Sequence, residues 1–149
     1  MEIKNKTNFS LILTFMNKNH LRLIDANLNR LREGIRVVED IFRYIYNDKQ
    51  TAIKLKELRH LSRLKNYFEL LETRDVKNDV LRSSIKSEQN RSDLNSILIA
   101  NFKRAQESAR VLEEFTKLIS IEDSENFKYI RYELYNLEIV LINITSNSK

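Results

Sequence analysis

This sequence predicts an all-α fold because it lacks turn-forming residues, repeats one helical motif and spaces its apolar residues at helical intervals. Its 149 residues include one glycine and no proline, whereas average usage is about 7% Gly and about 5% Pro. β-Sandwiches need frequent turns, and Rossmann or P-loop phosphate sites need several glycines, so these architectures are excluded. With 42% hydrophobic and 32% charged residues, the chain is expected to form one compact helical core.

The first of four expected helices spans about residues 20–46. At about 100° per residue, Leu31, Ile35, Val38 and Phe42 share one face of this helix. We expect this face to enter the core. The third expected helix, about residues 92–118, repeats the first in sequence.

The second and fourth expected helices span about residues 49–72 and 124–144. Asp48 and Ser124 are predicted N-caps of these helices. Apolar residues recur at spacings of three to five in each, which predicts one buried stripe per helix. The stripes contain Ile53, Leu58, Leu61, Leu64, Phe68 and Leu71 in the second helix, and Phe127, Ile130, Leu134, Leu137, Leu141 and Ile144 in the fourth.

An internal repeat organises the chain. Residues 26–39 return 74 positions later as residues 100–113, with seven of fourteen identical in the frame A-N-x-x-R-x-x-E-x-x-R-V-x-E. Each copy is followed by a second periodic segment, which contains Arg59 in one half and Arg131 in the other. The repeat predicts a four-helix bundle built from two duplicated helical hairpins.

A segment at about residues 73–91 occurs only once and has no sustained apolar stripe. Loops longer than about 12–15 residues in compact domains are usually functional or disordered. We therefore expect one helical-bundle domain over residues 20–149, with this loop as its asymmetric part. Residues 1–19 form an N-terminal segment without an assigned role.

Charge and composition narrow the function classes only in part. The net charge of +5 favours anionic partners without choosing between nucleic acid, phosphorylated metabolites and membranes. The chain has no cysteine, and its two histidines lack partners at zinc-ligand spacing, which excludes disulfides and a structural zinc site. The apolar residues 9–16 are too few to span a bilayer and poorly formed as a signal peptide, so a cytoplasmic protein is expected.

The repeated polar residues are candidates for binding phosphate. Helical proteins without glycine-rich loops hold phosphates with Arg, Lys, hydroxyls and helix N-termini. Arg30 and Arg104 lie at the edge of the apolar face, which favours this role over inherited duplication alone. A purely structural role in helix-surface ion pairs is an equal alternative for the other repeated charges, Arg36, Glu39, Arg110 and Glu113.

The single-copy loop offers a second set of charges. Arg74 and Asp75 are adjacent, Asp79 follows, and Glu88 precedes Arg91 by three residues. Such carboxylates can hold Mg²⁺, and such arginines can hold phosphate oxygens. A solvated polar loop with an N-cap is the alternative.

Five ordered blocks of this sequence resemble a known family. They are L-I-D-A-N-L-N-R-L-R-E-G-I-R-V-V-E-D at 23–40, R-H-L at 59–61, R-D with a later D at 74–79, E-Q-x-R at 88–91, and A-N-x-x-R-x-x-E-x-x-R-V-L-E-E at 100–114. The family is the helical hydroxymethylpyrimidine phosphate kinase that is fused ahead of thiamine phosphate synthase in cyanobacteria and some other bacteria. The resemblance covers about residues 22–118.

The resemblance implies an ATP- and Mg²⁺-dependent kinase of thiamine biosynthesis. It would phosphorylate 4-amino-5-hydroxymethyl-2-methylpyrimidine phosphate to the diphosphate, with ATP and this pyrimidine as its small-molecule partners. On that basis Arg74, Asp75 and Asp79 are the catalytic candidates. The expected phosphate contacts are Arg30, Arg74, Arg91 and Arg104; the metal or base candidates are Asp75, Asp79 and Glu88; and Asn27, Glu33, Asn101 and Glu107 are expected to bind the aminopyrimidine. The identity of the base stays open.

The chain departs from the family in two places. Related sequences have glycine and proline around the aspartate after Arg-Asp, where this chain has K-N-D-V-L at residues 77–81. The synthase domain is also absent, which predicts a stand-alone kinase. Residues 9–16 have no counterpart in the match and are a candidate contact for a homodimer.

A non-enzymatic alternative is a basic helical interaction module or a nucleic-acid-binding regulator. Each repeated arginine has a glutamate three residues later, so no uncompensated basic stripe results. We therefore expect no nucleic-acid partner and prefer the kinase.

Overall fold

A computed structural model describes residues 17–147, and these residues form helices and no strand. The prediction of an all-α fold is confirmed. The apolar residues 9–16, the expected dimer contact, lie outside the described residues. The helices are α1 (Lys18–Asp40), which continues into a π-helical turn (Ile41–Ile45), α2 (Lys49–Leu61), α3 (Tyr67–Glu72), α4 (Lys86–Gln89), α5 (Leu94–Thr116) and α6 (Ile121–Asn147).

The main packing joins α1 to α5 and α5 to α6, and α2 and α3 contact α1. Helices α1 and α5 run antiparallel, because the His20 ring near the start of α1 lies 6.1 Å from the Phe115 ring near the end of α5. Farther along α1, Gly34 faces Asn101 and Ala105. A Cβ at Gly34 would lie 3.1 Å from the Asn101 carbonyl oxygen and 3.3 Å from the Ala105 Cβ, so glycine permits this close approach.

The core contains the apolar faces predicted for α1 and α6. Leu31, Ile35, Val38 and Phe42 are almost fully buried, and complete burial of such a side chain stabilises the fold by about 1.5–3 kcal/mol. In α6, Phe127, Ile130, Leu134, Leu137 and Leu141 are buried as predicted, and Ile144 packs against them. Within residues 17–147, no helix is both long and apolar enough to cross a membrane.

The single helix predicted for residues 49–72 is wrong, because the chain breaks between α2 and α3. Side chains of other helices donate hydrogen bonds to the carbonyls at the end of α2. Arg32 Nη1 donates to the Ser62 carbonyl at 3.2 Å, and Asn126 Nδ2 donates to the Leu61 carbonyl at 3.1 Å. The Ser62 hydroxyl also donates to the Leu58 carbonyl at 2.8 Å. These contacts stop the helix at Leu61.

The apolar stripe predicted for this second helix is also largely wrong. Ala52, Leu55 and Leu58 are buried at the usual spacing of three, which the step of five from Ile53 to Leu58 does not match. The break then resets the register in α3, where Leu70 is buried. Four members of the predicted stripe are exposed, namely Ile53, Leu61, Phe68 and Leu71.

One of the two predicted N-caps is confirmed. Asp48 caps α2, since its Oδ1 accepts from the Thr51 backbone N at 3.1 Å. The prediction for Ser124 is wrong because α6 begins one turn earlier. The Ser124 hydroxyl instead donates to the Glu113 carbonyl at 2.7 Å, and the Ser120 hydroxyl accepts from the Asp123 backbone N at 3.2 Å.

The same ion pair occurs at equivalent positions of the two hairpins. Arg59 Nε lies 2.7 Å from Glu39 Oε2, and Arg131 lies 2.8 Å from Glu113 Oε2. Both carboxylates are buried. Each pair therefore joins the first helix of a hairpin to the second.

Surface ion pairs account for the other repeated arginines, as the structural alternative expected, although the partners differ. Arg36 bonds with Asp40 at 3.2 Å. Arg110 bonds with Glu113 and Glu114, each at 3.2 Å. The exposed pairs with Asp40 and Glu114 contribute little to stability, whereas Glu113 is the buried carboxylate that also pairs with Arg131.

The buried pairs predict a large and local effect on stability. Glu39→Ala or Glu113→Ala leaves a partly buried guanidinium without its counter-charge, which should lower the free energy of unfolding by about 3 kcal/mol. Urea denaturation followed by circular dichroism measures this change. Glu114→Ala is the matched control on the surface of α5 and should lower the free energy of unfolding much less. Equal losses for Glu113→Ala and Glu114→Ala would contradict the interpretation.

Candidate functional site

A cleft of about 500 Å³ lies between the N-terminal half of α1 and the segment that follows α3. We call residues 73–93 the connector, because they join α3 to α5. Arginines and aspartates dominate the charged lining of the cleft: Arg22, Asp25 and Arg30 from α1, and Arg74, Asp75 and Asp79 from the connector. Four of the residues predicted for the site, Arg30, Arg74, Asp75 and Asp79, therefore share one cleft.

A two-pronged ion pair attaches the connector to α1. Arg74 Nε donates to Asp25 Oδ2 at 2.8 Å, and Arg74 Nη2 donates to Asp25 Oδ1 at 2.9 Å. The hydrogen bond to Asp25, supported by the charges of Asp25 and Glu33, raises the pKa of Arg74. A guanidinium has five N–H donors, so Arg74 retains donors for another ligand.

Asp75 is held by the turn that it begins. Its Oδ1 accepts from the Asn78 backbone N at 3.2 Å, and its Oδ2 accepts from Asn78 Nδ2 at 2.7 Å. These bonds lower the pKa of Asp75, with a further contribution from the charge of Arg22. Arg22 Nη2 also donates to the Asp75 carbonyl at 3.1 Å. The carboxylate is therefore ionised at neutral pH, and each oxygen keeps a free lone pair.

Arg30 and Asp79 complete the charged lining. Asp79 Oδ1 accepts from the Leu81 backbone N at 3.0 Å, and the exposed Asp79 lines the cleft. Arg30 is exposed, and its guanidinium has no hydrogen bond or ion pair within the described part of the chain. Because a guanidinium is always charged and presents a fixed fork of donors, Arg30 is available for an anionic ligand.

Two predicted residues of the connector do not line this cleft. Glu88 Oε2 accepts from the Ile85 backbone N at 2.9 Å and so caps the first turn of α4. Arg91 Nη1 donates to the carbonyls of Ser87 and Asn90 at 3.2 and 2.9 Å. Among residues 17–147 there is no group of three or more His, Asp or Glu that could hold a metal ion.

The side chains of the repeated asparagines form hydrogen bonds within their own helices. Asn27 Nδ2 donates to the Leu23 carbonyl and Asn101 Nδ2 donates to the Ile97 carbonyl, both at 2.9 Å. Neither side chain lines the cleft.

The second copy of the motif does not meet the first in the cleft. Asn101 lies beside Gly34 in the middle of the contact between α1 and α5. Arg104 and Glu107 are exposed on α5, outside the cleft lining. Glu33 is also exposed and does not line the cleft, although its charge contributes to the raised pKa of Arg74.

Two residues of the cleft, Asp25 and Arg22, were not predicted from the sequence. Asp25 is the buried partner of Arg74, and Arg22 binds the connector backbone. The repeat itself carried a signal for both. At the equivalent positions the second copy has Ile99 and Ser96, so the charges at 22 and 25 occur only in the hairpin that faces the connector.

Comparisons with known proteins agree on one family. Residues 22–140 match the ThiD2 family. Three relatives are named thiamine-phosphate synthase. That of Thermosynechococcus vestitus is 40% identical over 121 residues, covering 80% of this chain and 34% of the relative. The relative from Nostoc punctiforme is 38% identical over 118 residues, which cover 78% of this chain and 34% of the relative.

The third, from Rhodopirellula baltica, is 36% identical over 138 residues, covering 87% of this chain and 37% of the relative. The chain thus spans about a third of the length of these relatives. No solved structure matches the chain at comparable significance.

The ion pair between Asp25 and Arg74 predicts how the connector responds to substitution. Asp25→Asn removes the counter-charge, so the connector should separate from α1 more often, at a cost of about 1–2 kcal/mol because Arg74 is partly exposed. Trypsin should then cleave after Lys77 and Arg82 several-fold faster, while circular dichroism shows the same helix content. Glu88→Gln, which leaves the ion pair intact, is the control. Cleavage of Asp25→Asn at the wild-type rate would refute this role for the ion pair.

Proposed function

We propose a kinase activity for this chain, which belongs to the ThiD2 family. The reaction is transfer of the γ-phosphoryl group of ATP to 4-amino-5-hydroxymethyl-2-methylpyrimidine phosphate, which gives the diphosphate. Relatives named thiamine-phosphate synthase link the family to thiamine biosynthesis. We propose that this helical domain catalyses the phosphorylation step of that pathway.

The observation that carries the proposal is Arg30, which has no hydrogen bond or ion pair within residues 17–147 and shares a cleft with Arg74, Asp75 and Asp79. Phosphoryl transfer needs mainly precise positioning and positive charge around the moving group. Arg30 offers its whole guanidinium fork to phosphate oxygens. Arg74 offers its remaining donors while Asp25 fixes its orientation.

Asp75 and Asp79 fit a magnesium site of the kind used with nucleotides. Mg²⁺ usually binds to one or two carboxylates, with phosphate oxygens and water as its other ligands. When bound, the ion would neutralise charge on the phosphates of ATP. Because the pKa of Asp75 is lowered, this carboxylate is a poor proton acceptor, which favours the metal role over that of a base. Glu88 is left out because it caps α4.

The pyrimidine would bind near Glu33, the expected ring contact whose charge contributes to the raised pKa of Arg74. A carboxylate can accept a hydrogen bond from the exocyclic amine of an aminopyrimidine. Asn27 and Asn101 are left out of the proposed site because they donate to carbonyls of their own helices, and Arg91 because it bonds within its own segment. Arg104 and Glu107 are left out because they lie on α5, outside the cleft lining.

We propose further that the two hairpins, α1–α2 and α5–α6, form a four-helix bundle that arose by duplication. The equivalent ion pairs of Glu39 and Glu113 support this origin, as do the equivalent hydrogen bonds of Asn27 and Asn101. A single connector then gives only one of the two halves a cleft. The repeated arginines consequently have different roles, with Arg30 in the site and Arg104 outside it.

An assay of the purified chain tests the kinase directly. With ATP, Mg²⁺ and the pyrimidine phosphate, we expect formation of ADP and of the pyrimidine diphosphate, followed by a coupled assay and by phosphorus NMR. Arg30→Gln should lower kcat/KM by about 10²-fold or more, because it removes a charge aimed at the phosphates. Arg36→Gln, on the same helix but outside the cleft, is the matched control and should leave kcat/KM nearly unchanged.

Two results would count against this proposal. Folded protein without turnover would refute the kinase, and salt-sensitive retardation of nucleic acid would then support the non-enzymatic binding module. An Arg104→Gln loss as large as that of Arg30→Gln would refute the restriction of the site to one half.

A further inference from the structure

A second cleft, of about 330 Å³, lies where α1 turns into α2. Arg43, Lys49 and Lys56 surround it, and Ala52 and Ile53 contribute its apolar surface. We propose that this cleft binds a small phosphate-bearing anion at a site distinct from the first cleft. The inference rests on charge and geometry and does not depend on the proposed kinase activity.

Among residues 17–147, no free carboxylate in the lining neutralises the positive charge of this cleft. Glu39 is the one carboxylate in its lining, and Arg59 already bonds both of its oxygens, at 2.7 and 3.3 Å. Within residues 17–147, the ammonium groups of Lys49 and Lys56 have no hydrogen bond or ion pair. The Arg43 guanidinium lies 4.9 Å from the Tyr44 ring centroid, a contact that leaves its N–H groups free.

Repulsion among three neighbouring cations is relieved when an anion binds between them. Two of the cations are ammonium groups on flexible stems, which can adjust to a phosphate, and the third is a guanidinium fork that matches phosphate oxygens. The volume lies at the lower end of the range for small-molecule sites. A compound with one or two phosphates and a small ring on Ile53 fits this chemistry.

The backbone at this cleft is irregular in two ways. The π-helical turn of Ile41–Ile45 ends with a hydrogen bond from the Tyr46 backbone N to the Ile41 carbonyl at 3.2 Å. Asn47 then has a φ of 52°, the one positive φ outside glycine in the described residues. π-Helical turns and left-handed residues cost free energy and cluster at functional sites.

The other hairpin does not repeat the full set of three cations. When Glu39–Arg59 is aligned with Glu113–Arg131, Lys49 corresponds to Ile121. Arg43 corresponds to Lys117, which is bonded to Glu114 at 2.8 Å. Lys56 corresponds to Lys128, in a stretch that also contains Glu122, Asp123 and Glu125. Among the described residues, three cations without an ion pair to a carboxylate therefore line the cleft of the first hairpin, whereas the equivalent positions of the other hairpin hold two lysines, of which Lys117 is paired.

The two clefts are well separated along α1. Asp25 in the first and Glu39 in the second are fourteen residues apart on the same helix, a rise of about 21 Å. One phosphate group cannot contact both. The second cleft is consequently a separate site and not an extension of the first.

Titration of the full chain with inorganic pyrophosphate, followed by amide chemical shifts in NMR, distinguishes the two clefts. We expect saturable shifts in residues 43–56. In the double variant Lys49→Gln with Lys56→Gln, the dissociation constant for this response should rise about tenfold or more, because two charge-assisted contacts are lost. Arg43→Gln should raise it as well. Lys128→Gln, the equivalent change in the other hairpin, should leave it unchanged.

Three results would overturn the proposal: shifts confined to residues 22–30 and 74–79, shifts in residues 43–56 that do not saturate, or equal weakening by Lys128→Gln. Circular dichroism confirms that each variant is folded; the lysines are exposed, so folding should be retained. The titration needs no enzymatic turnover, so its failure is distinct from failure of the kinase.

Discussion

The close antiparallel contact of α1 with α5 is the constraint on which the rest of the structure depends. It passes through Gly34, the single glycine of the chain, where a side chain would press on the main-chain oxygen of Asn101. Helices can approach so closely only where no Cβ intervenes. The contact fixes the partner of α1 along one side, and the clefts form where α1 meets the connector at one end and α2 at the other.

Each hairpin is then closed by its own buried Glu–Arg pair. Burying the pair costs desolvation free energy that offsets much of its attraction, and removing one partner leaves a buried charge unpaired. The pair therefore specifies which two helices pack together more than it adds net stability. Within residues 17–147, some of the remaining charges have no ion pair and are available for ligands. Arg30 in the first cleft and Lys49 and Lys56 in the second belong to this set.

The sequence was sufficient for features that depend on local periodicity. The buried faces of α1 and α6 follow from helical spacing, and Asp48 follows from local capping. The break after Leu61 could not be predicted, because it depends on Arg32 and Asn126, which are distant in sequence and bind the last carbonyls of α2. Local patterns do not contain such contacts.

The same distinction applies to the candidate site. The motifs identified Arg30, Arg74, Asp75 and Asp79, which the fold places together in one cleft. They did not reveal Asp25, whose partner lies 49 residues away. Nor did they separate these residues from Glu88 and Arg91, which have similar charges but bond within their own segment. Charge patterns identify candidates, and only the tertiary fold selects among them.

The hydrogen bond from Arg22 reaches the carbonyl oxygen of Asp75 and not its carboxylate. Every amino acid has that carbonyl, so this anchor does not depend on the side chain of residue 75. The two hydrogen bonds from Asn78 do depend on the Asp75 carboxylate. A substitution at residue 75 would therefore loosen the turn of the connector while its main-chain attachment to α1 stays available.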